Sequence, residues 1–259
     1  MMENVKIMGI VNVTPDSFSD GGKFFDASDA IEHGLKLIKD GADILDIGGQ
    51  STRPGYIEVS AEEEINRIDP VIKGIRKISD IPISIDTYFP EVADHALSIG
   101  ADIINDVRGL DLPGMMDVAI QYPESDLIIM HSRPRKKEMT VEEDIQSFYE
   151  EKYQACQKAG IANNRVYFDP GIGFGKTVEE NIDILKNPSK FRFKDFPLLY
   201  GVSRKRTIAQ LVDENNPLER DYASVTATLF SAIKGVEIIR VHEVKGMKDA
   251  LTVWQKLSN

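Results

Sequence analysis

Short apolar runs alternate along the chain with longer segments in which apolar residues recur every three or four positions. The short runs are VKIMGIVNV (5–13), DILDIG (43–48), PISID (82–86), DIINDV (102–107), LIIMH (127–131), RVYFD (165–169), PLLYGVS (197–203) and EIIRVH (237–242). Each is nearly continuous in apolar character, as parallel strands covered on both faces require. The segments between them read as helices. DASDAIEHGLKLIKDG opens with capping-type residues and closes on Gly41, and Ser60 stands three residues before Glu63 in SAEEEINRIDPVIKGIRKI, a capping-box spacing. FPEVADHALSIG, VEEDIQSFYEEKYQACQKAG and PLERDYASVTATLFSAIKG also end on glycine, while the connections near 112–122 and 178–190 carry a weaker period.

Eight strands alternating with helices predict repeated β–α units, and eight is the number that closes a (β/α)8 TIM barrel. An open doubly wound sheet is the alternative. The barrel is preferred because polar residues recur at the C-terminal ends of the strands, where barrel enzymes build their sites. No Pro/Gly/Ser-rich linker divides residues 1–259, so a single α/β domain is expected.

Composition narrows the partners. With 42% hydrophobic and 28% charged residues the chain can bury a sizeable core, and a net charge of −11 argues against nucleic acid or an anionic membrane surface. No apolar run is long enough to span a membrane, and the N-terminus lacks a signal-peptide pattern. The single cysteine, Cys156, lies in a helical pattern, which suits a packing role and a reducing cytoplasm.

The strand ends, taken in order, are Asn12, GGQSTRPG (48–55), Asp86, Asn105, His131, Asp169, SRK (203–205) and RVH (240–242). Any one of them reads equally well as a cap or turn residue, but a closed barrel would bring them all to one mouth. Two aspartates and an asparagine suit a flat heterocycle rich in N–H donors. Arg53, Arg204, Lys205, Arg240 and His242 supply the local positive charge that an anionic tail needs. The glycine-rich FDPGIGFGKT (168–177) is not a nucleotide loop. A P-loop needs glycine where Pro170 stands, and a dinucleotide fingerprint needs it where Lys176 stands. Lys176 and Thr177 read as the start of the next helix. No HxxxH or CxxC spacing supports zinc.

IMGIVNVTPDSFSDGG (7–22), DILDIGGQSTRPG (43–55), ISIDT (83–87), INDVRG (104–109), DPGIGFGKT (169–177), GVSRKR (201–206) and IIRVHEV (238–244) resemble the dihydropteroate synthase family, in order and over essentially the whole chain. The resemblance implies a TIM barrel that joins 6-hydroxymethyl-7,8-dihydropterin diphosphate to p-aminobenzoate with magnesium, releasing pyrophosphate through a pterin methylene cation. It implies a pterin pocket of Asp86, Asn105, Asp169 and Lys205, and a diphosphate site of Asn12, Arg53, Arg240 and His242. Asp86, Lys205, Arg240 and His242 would carry the chemistry, and Asn12 would contact the magnesium. Thr52, Arg53, Pro54, Phe174 and Ser203 would hold p-aminobenzoate, and the assembly would be a homodimer. Gln50 stands where the family usually has glutamate, Glu243 where it has aspartate, and the loop after His131 departs from its pattern, so His131 is given no role. A methyltetrahydrofolate–corrinoid methyltransferase shares the barrel and much of the pterin pocket, and is the alternative function. It has no use for the basic diphosphate set.

Overall fold

The computed structural model describes residues 5–14, 27–50 and 58–258. All eight predicted strands form: β1 Lys6–Asn12, β2 Ile44–Gly48, β3 Ile83–Asp86, β4 Ile103–Asp106, β5 Asp126–Met130, β6 Val166–Asp169, β7 Leu199–Tyr200 and β8 Ile238–Val241. They pair in parallel in the order β6-β5-β4-β3-β2-β1-β8-β7. A parallel bridge between Phe168 and Leu198, with the Phe168 amide donating to the Pro197 carbonyl at 3.0 Å, joins β6 to β7 and closes the ring. The fold is the predicted TIM barrel.

The helices outside it are α1 Ala27–Asp40, α2 Ala61–Arg76, α3 Pro90–Ser98, α4 Met115–Gln121, α5 Val141–Lys158, α6 Val178–Lys186, α7 Pro188–Phe191, α8 Arg206–Val212, α9 Asp221–Ala232 and α10 Val244–Ser258. The expected capping box at α2 forms only by half. Ser60 accepts from the Glu63 amide at 3.2 Å, but the Glu63 carboxylate turns to Arg67 at 2.9 Å. A complete box instead opens α5 at Thr140 and Glu143, and another opens α6 at Thr177 and Glu180. The weakly periodic 178–190 is two elements, because Pro188 lacks the N–H that would continue α6 and starts a one-turn helix of its own. Helix α8 was not expected: seven residues give too few turns for a period to show. Among the described residues, no helix is long and apolar enough to cross a membrane.

A strand exposes alternate residues to opposite faces, and that period of two divides the barrel into two cores. Ile7, Val11, Leu45, Ile47, Ile85, Ile104, Ile129 and Ile239 join the large cluster between strands and helices. Met8, Ile44, Ile103, Ile128, Leu199 and Ile238 form a separate buried cluster, with Tyr167 packed against it. These are the inward residues of one layer. Two or four positions further along the same strands come Asn12, Asp46, Asn105, Asp169 and Arg240. The inside of the barrel is therefore apolar toward the N-terminal ends of the strands and polar toward the C-terminal ends.

The closure between β6 and β7 is backed by aromatic rings. Phe168 is fully buried, with ring centroids 4.3 Å from Tyr149, 5.3 Å from Phe196 and 5.7 Å from Phe193. Phe168→Ala should therefore destabilise the fold by about 3–5 kcal/mol, read as a lower urea midpoint at unchanged slope. A loss below about 1 kcal/mol would show that this seam does not depend on the ring cluster.

Candidate active site

At the C-terminal mouth the central feature is the Arg240 guanidinium on β8. Its Nε donates to Asp46 Oδ2 at 2.5 Å and its Nη2 to Asp86 Oδ2 at 2.6 Å, so one cation bridges β8, β2 and β3. Asp46 is wholly buried and also accepts from the Asn105 amide on β4, 3.3 Å to each carboxylate oxygen. The second Asp86 oxygen, Oδ1, is buried and has no hydrogen-bond partner among the described residues. Burial holds the Asp86 carboxyl well above the usual carboxylate range; Arg240 opposes the shift and the neighbouring Asp46 adds to it.

Asp169, at the end of β6, is buried and spends one oxygen on the Gly171 amide at 2.7 Å. Burial raises its carboxyl, and the Lys205 charge works against that rise. Lys205, the N-cap position of α8, reaches back to donate to the Ile172 carbonyl at 2.7 Å. Its ammonium stands 4.7 Å from the centre of the Phe174 ring, within cation–π range. Burial lowers Lys205 to about 8 despite the carboxylate of Asp169. Phe174 packs on Tyr88, Val107 and Met130 at the rim. Gly173 carries no side chain where a Cβ would come within 3.2 Å of the Lys205 stem, so the loop passes directly over that lysine.

His242 stands just past β8. Its backbone amide donates to Ser203 Oγ at 3.2 Å and its Nδ1 lies 3.0 Å from the same oxygen. Asn12 ends β1, in register with Gly48 of β2. Asp86, Asn105, Asp169, Lys205, Arg240, His242, Ser203 and Phe174 thus gather at one mouth, as the sequence led one to expect. Thr52, Arg53 and Pro54 lie outside the described residues.

Two expectations change, those for Arg204 and Lys176, and the surroundings of Arg240 and His131 become definite. Arg204 does not face the mouth: it forms a two-pronged pair with Asp221 of α9, at 2.6 and 2.7 Å. Arg240 lies between two carboxylates, those of Asp46 and Asp86. His131 is buried against Phe148, and burial lowers its imidazole to about 3, so it is neutral packing beneath the loop after β6. Lys176 does not begin α6: Thr177 is the cap, and the lysine turns back under its own loop. Asp46 went unremarked in the sequence, although a lone acid inside the apolar DILDIG was a signal: a buried carboxylate needs a cation.

Comparison with known proteins agrees with this geometry. The family of pterin binding enzymes matches residues 8–242, and the chain belongs to it. It is 43% identical over 256 residues to dihydropteroate synthase of Streptococcus pyogenes, which covers 98% of this chain and 96% of that one. Dihydropteroate synthase of Xanthomonas albilineans with 4-aminobenzoic acid matches at TM-score 0.94 and 41% identity, over 99% of this chain and 94% of that one. The same organism's enzyme in complex with 7,8-dihydropteroate matches at TM-score 0.91 and 39% identity, over 100% and 95%. Within the pterin binding enzymes, this chain is a transferase of the dihydropteroate synthase family, whose reaction belongs to folate biosynthesis.

Behind the mouth, Glu64 of α2 is fully buried beside Gly49, where a Cβ would come within 2.8 Å of the Glu64 stem. Burial raises its carboxyl to about 8, against an opposing hydrogen bond from Thr87. The folded protein therefore keeps a proton that the unfolded chain releases near 4.5, and stability is present in full at low pH and falls as pH rises toward 8. Glu64→Gln should flatten that fall, measured as Tm between about pH 5 and pH 8. Parallel Tm profiles for the two proteins would rule the buried proton out.

Proposed function

We propose that this barrel condenses 6-hydroxymethyl-7,8-dihydropterin diphosphate with p-aminobenzoate to give 7,8-dihydropteroate and pyrophosphate. The observation that carries the reading is the convergence of Asp86, Asn105, Asp169 and Lys205, from four strand ends, beside the Phe174 ring. The Xanthomonas albilineans enzymes bound to 4-aminobenzoic acid and to 7,8-dihydropteroate support the second substrate and the product.

The pterin lies flat in the mouth. Asp169 accepts from its 2-amino group and adjacent ring N–H with the lone pairs that Gly171 leaves unused. Lys205 donates to the ring carbonyl or ring nitrogen. Asn105, whose amide N–H is held by Asp46, offers its carbonyl to a ring donor. The carbon–oxygen bond to diphosphate then breaks, and its electron pair leaves with the diphosphate. The positive charge left on the methylene is spread into the pterin ring. Asp86 is suited to stabilise that cation because Arg240 fixes one of its oxygens and the other is unpaired.

His242, steadied by Ser203, and the outer edge of Arg240 meet the departing oxygens, with Arg53 assigned to the same group. The p-aminobenzoate nitrogen attacks the methylene with its lone pair and then loses a proton, so no strong general base is needed. Phe174, with Pro54, flanks the benzene ring, and Ser203, Thr52 and Arg53 are assigned to its carboxylate end.

Among the described residues no group of three histidine, cysteine, aspartate or glutamate side chains could hold a metal. Magnesium would be held mainly through substrate phosphate, with one protein oxygen from Asn12. When bound, the ion neutralises diphosphate charge and so eases its departure. A homodimer of two such single-domain copies belongs to the same reading.

Purified protein given both substrates and magnesium should release pyrophosphate above a heat-killed control, and no such release would sink the synthase reading. Asp86→Asn should keep the fold and lower kcat by about 100-fold or more. Turnover near that of the wild type would remove the cation-stabilising role of Asp86.

A further inference from the structure

Lys176 belongs to no substrate contact in the reading above, yet its ammonium is the most heavily engaged group in the loop after β6. Its Nζ lies 3.1 Å from the carbonyl oxygens of both Gly171 and Phe174, 3.2 Å from that of His131 and 3.0 Å from His131 Nδ1. His131 Nε2 faces the Asp144 carboxylate at 3.7 Å, and a proton there leaves Nδ1 as an acceptor. Four acceptors then surround an ammonium with three protons. None remains for a phosphate.

The same loop has little stiffness of its own. Gly171, Gly173 and Gly175 all have left-handed φ, +69°, +85° and +62°. It is tied instead at fixed points. Asp169 takes the Gly171 amide, Asn181 of α6 takes the Gly173 amide at 2.8 Å, and the Phe174 amide folds back to the Gly171 carbonyl at 3.0 Å. A Cβ on Gly171 would sit 2.0 Å from the His131 carbonyl, so the loop lies directly on the end of β5. Lys176 closes the turn by binding the carbonyls at both of its ends and the β5 carbonyl beneath it.

We propose that Lys176 is a positioning residue for the second substrate: it ties the Gly171 and Phe174 carbonyls to the end of β5 and so fixes the Phe174 ring at the mouth. This rests on the reading of Phe174 as a wall of the p-aminobenzoate site. Removing the ammonium takes a donor from the His131 and Phe174 carbonyls and leaves that of Gly171 only the Phe174 amide, and a loop with three glycines relaxes at little cost. The ring then leaves its place against Tyr88, Val107 and Met130. The pterin contacts of Asp86 and Asn105 come from other strands and do not depend on it, whereas Asp169 and Lys205 touch the loop through the Gly171 amide and the Ile172 carbonyl.

Steady-state kinetics of the full chain, with p-aminobenzoate varied at saturating pterin diphosphate, tests this in Lys176→Met, Lys176→Gln and Phe174→Ala, alongside direct binding of the pterin. All three variants should raise the p-aminobenzoate KM about tenfold, a larger factor than any loss of pterin affinity, because only Asp169 and Lys205 of the pterin set touch this loop. Combining Lys176→Met with Phe174→Ala should raise KM no further than Phe174→Ala alone, since both act through one ring. Lys176→Gln keeps an amide donor and gives the result if the methionine variant does not fold. A raised KM in Phe174→Ala with an unchanged KM in a folded Lys176 variant overturns the proposal. So does lower stability of the Lys176 variants with no change in KM, which is the mark of a purely structural lysine. An unchanged KM in Phe174→Ala overturns the reading of Phe174 itself.

Discussion

The mouth of this barrel depends on one buried cation held between two buried acids. Arg240 bridges Asp46 and Asp86 where side-chain exposure is 18%, 0% and 8% respectively. Burying any one of the three charges without the others would cost several kcal/mol even after relaxation. Together they give a fixed, nearly balanced set that spans β8, β2 and β3. Asn105 takes its position from it by donating to Asp46, and one buried oxygen of Asp86 has no hydrogen-bond partner among the described residues.

That arrangement requires a closed sheet. Arg240 and Asp46 are separated by 194 positions in the chain and come together because β8 and β2 flank β1. The period of two within each strand places Asp46, Asn105 and Arg240 on the same inward face as Ile44, Ile103 and Ile238, one step further toward the C-terminal end. An apolar floor therefore lies beneath a polar ring, a site suited to a flat, donor-rich heterocycle. Burial is the first cause of the shifts at Asp86, Asp169 and Lys205; the next is Arg240 for Asp86, and Asp169 and Lys205 act on each other.

Much of the fold was legible in the chain. Eight near-continuous apolar runs became eight strands because each is covered on both faces, and the alternation with helical period fixed the parallel class. Residues at strand ends were legible as a site because a barrel gathers such positions. What escaped were roles that depend on direction. Arg204 and Lys205 are neighbours, but the left-handed backbone at Arg204, φ 59°, sends it to Asp221 while Lys205 turns to Ile172. Asp46 looked like strand filler, and helix α8 was too short to register as a period.

The sequence by itself determined the strand count, the parallel barrel and the polar residues at its mouth, since these follow from local periodicity and from which side chains can be buried. Only the tertiary structure decided which charge meets which. Arg240 sits between Asp46 and Asp86, and Lys176 turns under its own loop rather than starting the next helix. The physical reason is that a charge is placed by desolvation and by the partners within a few ångströms, and in a closed barrel those partners come from strands far apart in the chain.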